Sequence, residues 1–329
     1  MDLRQLRYFV GIIQAGSLSR AADQLRVAQS ALSHHLASLE SELQRQLVTR
    51  GGKGIELTEA GRVLYRHAEA ILRQVESAKR EAIGALNVPS GRVSIGFPAV
   101  LAPLLGYELL RRLRSLYPEI LLHLSDANNW LLRERLLNGR LDMAMLFADR
   151  RERGLDVEPL LHEELFYVTA DPDTAPIRIA DVARGPLLMS GLGGSSRRVT
   201  ELAFQKRGLN LTSIGEIDAL GTLRRAVAAG IGNTILPWCA LHGWDDGILL
   251  NYRPVIDAKL TRTVALCFSE VGQRSQAVNA VAETLRTLVR ELVDNGTWQG
   301  VTLIDNPGKP SRSAAPRAKL RIGRVSMNA

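Results

Sequence analysis

The chain has 329 residues, 46% of them apolar, enough for two or more domains with sizeable cores. Its formal net charge is +8, but Lys309, Arg312, Arg317, Lys319, Arg321 and Arg324 against Asp305 supply +5 of that, and residues 1–60 hold seven cations against six anions. Any nucleic-acid reading therefore rests on patterning rather than bulk charge. No run approaches the roughly 20 apolar residues of a membrane span, and Met1-Asp2-Leu3-Arg4 lacks the form of a secretory leader, so a cytoplasmic protein with no membrane partner is expected. Cys239 and Cys267 stand far apart with no CxxC or His-rich neighbour, which predicts two buried small apolar residues and no metal or cofactor.

Leu3, Leu6, Phe9, Val10 and Ile13 form a helical stripe ending at Gly16. Ala21, Ala22 and Leu25 predict a short second helix. Leu32, Leu36, Leu39 and Leu43 predict a third, joined to the second through Arg26, Val27 and Ala28. The third helix carries Ser30, His34, Ala37 and Ser41 opposite its leucines, with Gln29 at its start and Ser33 beside it. Small donors and acceptors suit a helix pressed against base edges in a major groove. Gln29 can bond an adenine edge in bidentate fashion, and Ser30, Ser33 and His34 can reach bases or phosphates. The alternative is an ordinary three-helix module with a wet third helix.

Residues 46–57 read as two short strands around the tip Gly51-Gly52-Lys53-Gly54, a wing that would bring Arg50 and Lys53 near a phosphate backbone, or else a plain hairpin with exposed charges. Thr58-Glu59 then opens a long helix with the stripe Ala60, Leu64, His67, Ile71, Val75, Ala78 and Ala82. A seam with no neighbouring helix in sequence predicts burial against the same helix of a second copy, hence a homodimer. Asn87-Val88-Pro89-Ser90-Gly91 reads as a hinge.

Beyond the hinge, strands at 92–96, 120–124 and 142–147 alternate with helices at 104–116 and 130–137. This βαβαβ order implies a parallel sheet covered by helices on both faces. A crossing strand at 165–169 leads to a second, similar unit: strands at 186–189, 213–217 and 233–236, with helices at 197–206 and 222–229. A strand at 263–268 and a helix at 277–292 return to the first sheet. Two lobes joined by two crossings leave a cleft.

Gln29-Ser30-Ala31-Leu32-Ser33 through Leu39-Glu40, Leu47, Arg50, Leu57-Thr58-Glu59-Ala60-Gly61, Tyr117-Pro118, Gly139-Arg140-Leu141-Asp142 and Gly230 through Pro237 resemble a LysR-type transcriptional regulator over roughly residues 1–293. Leu6-Arg7-Tyr8-Phe9 and Leu64-Tyr65-Arg66-His67-Ala68 are similar to the nitrogen assimilation control subgroup. The resemblance implies an α/β fold class in which an N-terminal winged helix-turn-helix (1–58) and a linker or dimerisation helix with hinge (59–89) precede a two-lobed, periplasmic-binding-protein-like effector domain (90–296). A basic, disordered tail (297–329) would follow. It further implies double-stranded DNA as partner, a dimer or tetramer, a small-molecule effector, contact with RNA polymerase, and a role in nitrogen or amino-acid metabolism.

Several positions depart from the family pattern. Ser30 stands where proline is usual, His34 where Arg or Gln is common, and Gln44 where glycine ends the recognition helix, which predicts a less sharp end. Val100 and Leu101 occupy the turn where the family often has a hydroxyl for an anionic inducer, leaving backbone amides, or else a cleft for a hydrophobic ligand or none. Asn129 aligns with another polar cleft position, and Ser195 and Ser196 would donate from the other lobe, unless each is merely a cap or loop residue.

Enzymatic readings find little support. Gly191-Leu192-Gly193-Gly194-Ser195 lacks both the P-loop ending and the nucleophile elbow, and no triad is legible. His34 and His35 point about 100° apart on a helix, a poor metal pair. Asp142 suits a structural role at a strand start. The competing non-enzymatic reading is a bilobal small-molecule binding protein with no transcriptional role.

Overall fold

The computed structural model describes residues 1–51, 54–83, 88–148, 152–241, 247–270 and 274–304. Asp2 accepts the Gln5 amide (2.8 Å) while the Gln5 side chain accepts the Asp2 N–H (2.9 Å), a reciprocal cap that starts α1 (Leu3–Ala15). Gly16, at φ 68°, ends it in the left-handed region, and Ser17 caps α2 (Leu18–Leu25) through the Arg20 amide. Arg26, also left-handed, turns the chain into α3 (Gln29–Leu43). Leu6, Phe9, Ile12, Ala21, Leu32 and Leu39 close one core.

Leu43 does not join it and is 38% exposed, because α3 stops there. Gln44 adopts φ 51°, donating to the Glu40 and Ser41 carbonyls, and Arg45 N–H also reaches Glu40 O. The expected loose end is thus a tight left-handed stop, reached without glycine at the steric cost of a Cβ. The Glu40 carboxylate accepts the Leu47 and Val48 amides (2.7 and 3.3 Å), fastening α3 to the next strand.

The wing is antiparallel: β1 (Val48–Gly51) pairs with β2 (Gly54–Leu57), and Ile55 N–H bonds the Gly16 carbonyl at 3.2 Å, resting the wing on the end of α1. Thr58 caps α4 (Glu59–Ile83), accepting from Gly61 N–H at 3.0 Å and donating to Gln46 O at 2.7 Å. A Cβ on Gly61 would lie 1.9 Å from the Leu47 carbonyl oxygen, so the helix start and the wing can meet only at glycine.

Contrary to the single-seam expectation, α4 has two apolar faces. Tyr65 and Ala68 are buried, and Leu64 and Leu72 half-buried, on the three-helix core. The Tyr65 hydroxyl donates to Glu69 at 2.8 Å; burial first and the Glu69 charge second push it up to about 12. In the expected seam, His67, Ile71 and Ala78 are exposed; the Ala82 side chain and, of the hinge, Asn87 lie outside the described residues.

The first lobe contains β3 (Gly91–Pro98), α5 (Ala102–Leu116), β4 (Ile120–Ala127), α6 (Asn129–Leu137) and β5 (Met143–Phe147). β3 runs parallel to β4 and β5 as the alternation predicts. The sheet as a whole is mixed; with β6 (Leu155–Thr169), β10 (Asn251–Arg253) and β11 (Thr261–Ser269) its order is β10-β6-β11-β5-β3-β4. β11 (Thr261–Ser269) returns antiparallel between β5 and the 15-residue β6 (Leu155–Thr169), three times the expected strand length. One face buries Ile95, Phe97, Leu105 and Leu109 with Leu285 and Leu288 of α10 (Gln276–Asp294); the other buries Leu132 and Leu136 of α6 on Ala144 and Cys267. Asp142 is structural, its carboxylate accepting the Ser94 N–H and hydroxyl at 2.7 and 2.6 Å.

β6 then crosses into the second lobe. There its C-terminal half pairs with β9 (Thr234–Pro237) and β10 (Asn251–Arg253), while β7 (Leu187–Met189) runs parallel to β8 (Ser213–Glu216). α7 (Ile179–Arg184), α8 (Ser195–Gln205) and α9 (Leu220–Ala228) pack around them. The tail starts later than expected: Trp298 is 1% exposed, and β12 (Val301–Leu303) pairs with β6, so 297–304 belong to the first lobe. Residues 305–329 lie outside the described residues. Among the described residues no helix is long and apolar enough to cross a membrane.

Candidate functional site

Two places concentrate polar groups on rigid supports. The first is the outer face of α3. Burial of Leu32, Leu36 and Leu39 fixes its rotation, which turns Gln29, Ser30 and His34 fully outward and leaves Ser33 half-buried. No side chain caps α3 at Ala28, so its first amides stay open to a phosphate oxygen. Gln29 Oε1 accepts from Ser19 Oγ on α2 at 3.3 Å, a contact that orients the amide and that sequence reading missed, since a lone serine on an exposed helix carries no pattern. His35 packs edge-on against Tyr8, ring centroids 5.0 Å apart, with its ring 6.1 Å from that of His34. Arg50 lies on β1 opposite Ile55, and Lys53 lies outside the described residues.

The second place is the cleft between the lobes, about 180 Å³, at the C-terminal ends of β3, β5, β7 and β8. Val100 lines it. Leu101 does not: it is 0% exposed in the first-lobe core, because its position before α5 turns the side chain inward. The donor supply expected of that turn is also smaller, since the Leu101 amide is bonded to Pro98 O at 2.8 Å and Pro103 has no N–H. Asn129 lines the cleft but accepts from Phe147 N–H (2.8 Å) and donates to Phe147 O (3.3 Å), tying α6 to β5.

Ser195 and Ser196 are present at the start of α8, and both hydroxyls accept from Arg262 Nη1, at 2.6 and 3.2 Å. Sequence reading missed Arg262 and its partner. The guanidinium lies 3.4 Å from the Phe147 ring centroid, and its Nε and Nη2 donate to Glu163 Oε2 at 2.8 and 2.7 Å. Glu163 is 0% exposed and Arg262 8%. Cys239 Sγ adds a hydrogen bond to the other Glu163 oxygen at 3.2 Å; burial, reinforced by that carboxylate, pushes the thiol well above its ordinary range, so it is no ready nucleophile. The network joins the crossing strand β6, the returning β11, α8 and the end of β5, pinning the lobes where they meet.

Residues 3–62 match the bacterial regulatory helix-turn-helix protein, lysR family, and residues 87–290 match the LysR substrate binding domain. The chain is 38% identical over 309 residues to the nitrogen assimilation regulatory protein nac of Klebsiella aerogenes, covering 92% of this chain and 100% of that one. It is 34% identical to the protein of the same name from Escherichia coli, again over 92% of this chain and 100% of the relative. Among solved structures, a full-length OxyR variant from Pseudomonas aeruginosa superposes with a TM-score of 0.69 at 25% identity, covering 88% of this chain and 95% of the other.

Proposed function

Because the chain belongs to the LysR family of bacterial transcriptional regulators, a DNA-binding and not an enzymatic family, we propose that it works on dyad-symmetric operators as a dimer or tetramer and controls genes of nitrogen or amino-acid metabolism. The observation that carries the DNA reading is the outward polar face of α3, with Gln29 held by Ser19 at its uncapped start. Gln29 is assigned to an adenine edge, Ser30, Ser33 and His34 to bases or phosphates, and Arg50 and Lys53 to the backbone. Operation on chromosomal DNA puts the protein in the bacterial cytoplasm. The metabolic role rests on the names of the two nitrogen assimilation relatives.

The dimer rests on α4, whose Ile71 is exposed along a stripe that Tyr65 and Ala68 do not use. A tetramer needs a second surface, and Tyr107, Leu110 and Leu121 on α5 and the edge strand β4 are exposed apolar residues suited to it. The cleft is assigned to a small-molecule effector held by Val100, Ser195 and Ser196, with Asn129 supporting the wall. Effector binding would alter lobe geometry, hence the spacing of paired recognition helices and any contact with RNA polymerase. Genome-wide capture of bound DNA tests the reading: recovered fragments should share a motif with dyad symmetry, and fragments without one would contradict it.

A further inference from the structure

We propose that the cleft selects a small organic cation, a primary amine with an apolar body, and that Asp218 is its anchor. The proposal rests on reading the cleft as an effector site. Among the described residues two charged side chains line it, Arg262 and Asp218. Arg262 is held by its own network: Nε and Nη2 each donate to Glu163, and Nη1 to Ser195 and Ser196. With Glu163 neutralising it, the cleft carries the net charge of Asp218. That carboxylate accepts one hydrogen bond, from Gly191 N–H to Oδ1 at 3.0 Å, and has no cationic partner among the described residues. One residue before Gly191, Ser190 also lines the cleft, with its hydroxyl packed under Gly194, 1.8 Å from where a Gly194 Cβ would lie.

An ammonium has donors to offer Asp218, whereas a carboxylate would face that charge beside an Arg262 already neutralised by Glu163. The first-lobe turn adds no side-chain donor for an anion, since Val100 is apolar. Trp130, 56% exposed, lines the cleft from α6 with its Cδ1 3.4 Å from the point a Gly193 Cβ would occupy, an indole suited to a cation or an apolar chain.

The test is isothermal titration calorimetry of the full-length protein with phenethylamine and n-hexylamine, the alcohols of the same skeletons, and the matching carboxylates. The amines should bind at least about tenfold tighter than the alcohols, the loss expected for one charge-assisted hydrogen bond. Asp218→Asn should erase that preference at an unchanged melting temperature, and Gly193→Trp should abolish all binding by filling the cleft. Carboxylates binding tighter than amines, and lost in Gly193→Trp, would overturn the ligand class and leave the cleft reading standing. Amine binding that survives Gly193→Trp, or no heat from any probe, would overturn both.

Discussion

Removing the Glu163 carboxylate should be among the most damaging single changes outside the DNA-binding domain. Glu163→Ala takes two charge-assisted hydrogen bonds from Arg262 and one from Cys239, and leaves a guanidinium that is 8% exposed with only two serine hydroxyls and the Phe147 ring. Breaking one side of a buried pair costs about 3–5 kcal/mol, mostly the desolvation of the stranded partner. For a domain of roughly 200 residues each kcal/mol lowers the melting temperature by about 2–4 °C, so the effector domain should melt about 6–20 °C lower. Replacing both partners with Met removes the stranded charge, and that double variant should recover much of the loss. Differential scanning calorimetry of the full-length protein resolves the effect, and the two singles with the double close a thermodynamic cycle. A single-variant cost below about 1 kcal/mol, or a double variant as damaged as the worse single, would show that the network is solvated and pins nothing.

Three further outcomes are expected. Gln44→Gly should raise the stability of the DNA-binding domain by about 0.5–1 kcal/mol in urea unfolding, because glycine adopts the left-handed stop of α3 without the Cβ penalty; a loss would mean the Gln44 side chain contributes more than its backbone costs. Ile71→Glu should shift the solution mass measured by light scattering towards the monomer at unchanged helical content, while an intact dimer would place the interface elsewhere. Arg111 and Arg112 hold the Glu108 carboxyl down at about 2 through side-chain hydrogen bonds, so its contribution is present above the ordinary glutamate range and is lost as pH falls through about 2. The partly exposed setting limits that contribution to under about 1 kcal/mol, and the Glu108→Gln stability deficit at pH 7 should narrow on acidification. A deficit independent of pH would refute the assignment.

What the sequence made legible follows from periodicity. The spacing of Leu32, Leu36 and Leu39 determines which side of α3 is buried, so the outward position of Gln29, Ser30 and His34 could be read before any coordinates, as could the glycine-tipped wing. The βαβ alternation likewise gave the parallel β3, β4 and β5, and the return of β11 to their sheet. Three-residue strands such as β10 and β12 are too short for a period, so the strand over 301–303 was mistaken for tail. Glu163 and Arg262 lie 99 residues apart and read as ordinary polar alternation in their strands; only the pairing of β6 with β11 brings them together. Leu101 failed for a local reason, since adjacency to Val100 in a turn does not say which side chain faces the cleft. The second apolar face of α4 was hidden because Tyr65 and Ala68 interleave with the exposed stripe.

The central claim is that α3 reads base edges through Gln29. It is tested most directly by measuring affinities of the native protein and Gln29→Ala for a captured operator and for all of its single-base variants, at one fixed salt concentration. Loss of about 1–3 kcal/mol of discrimination at one symmetric pair of positions, with affinity for unrelated duplex retained, is the expected result. A Gln29→Ala profile that matches the native protein at every position would contradict it.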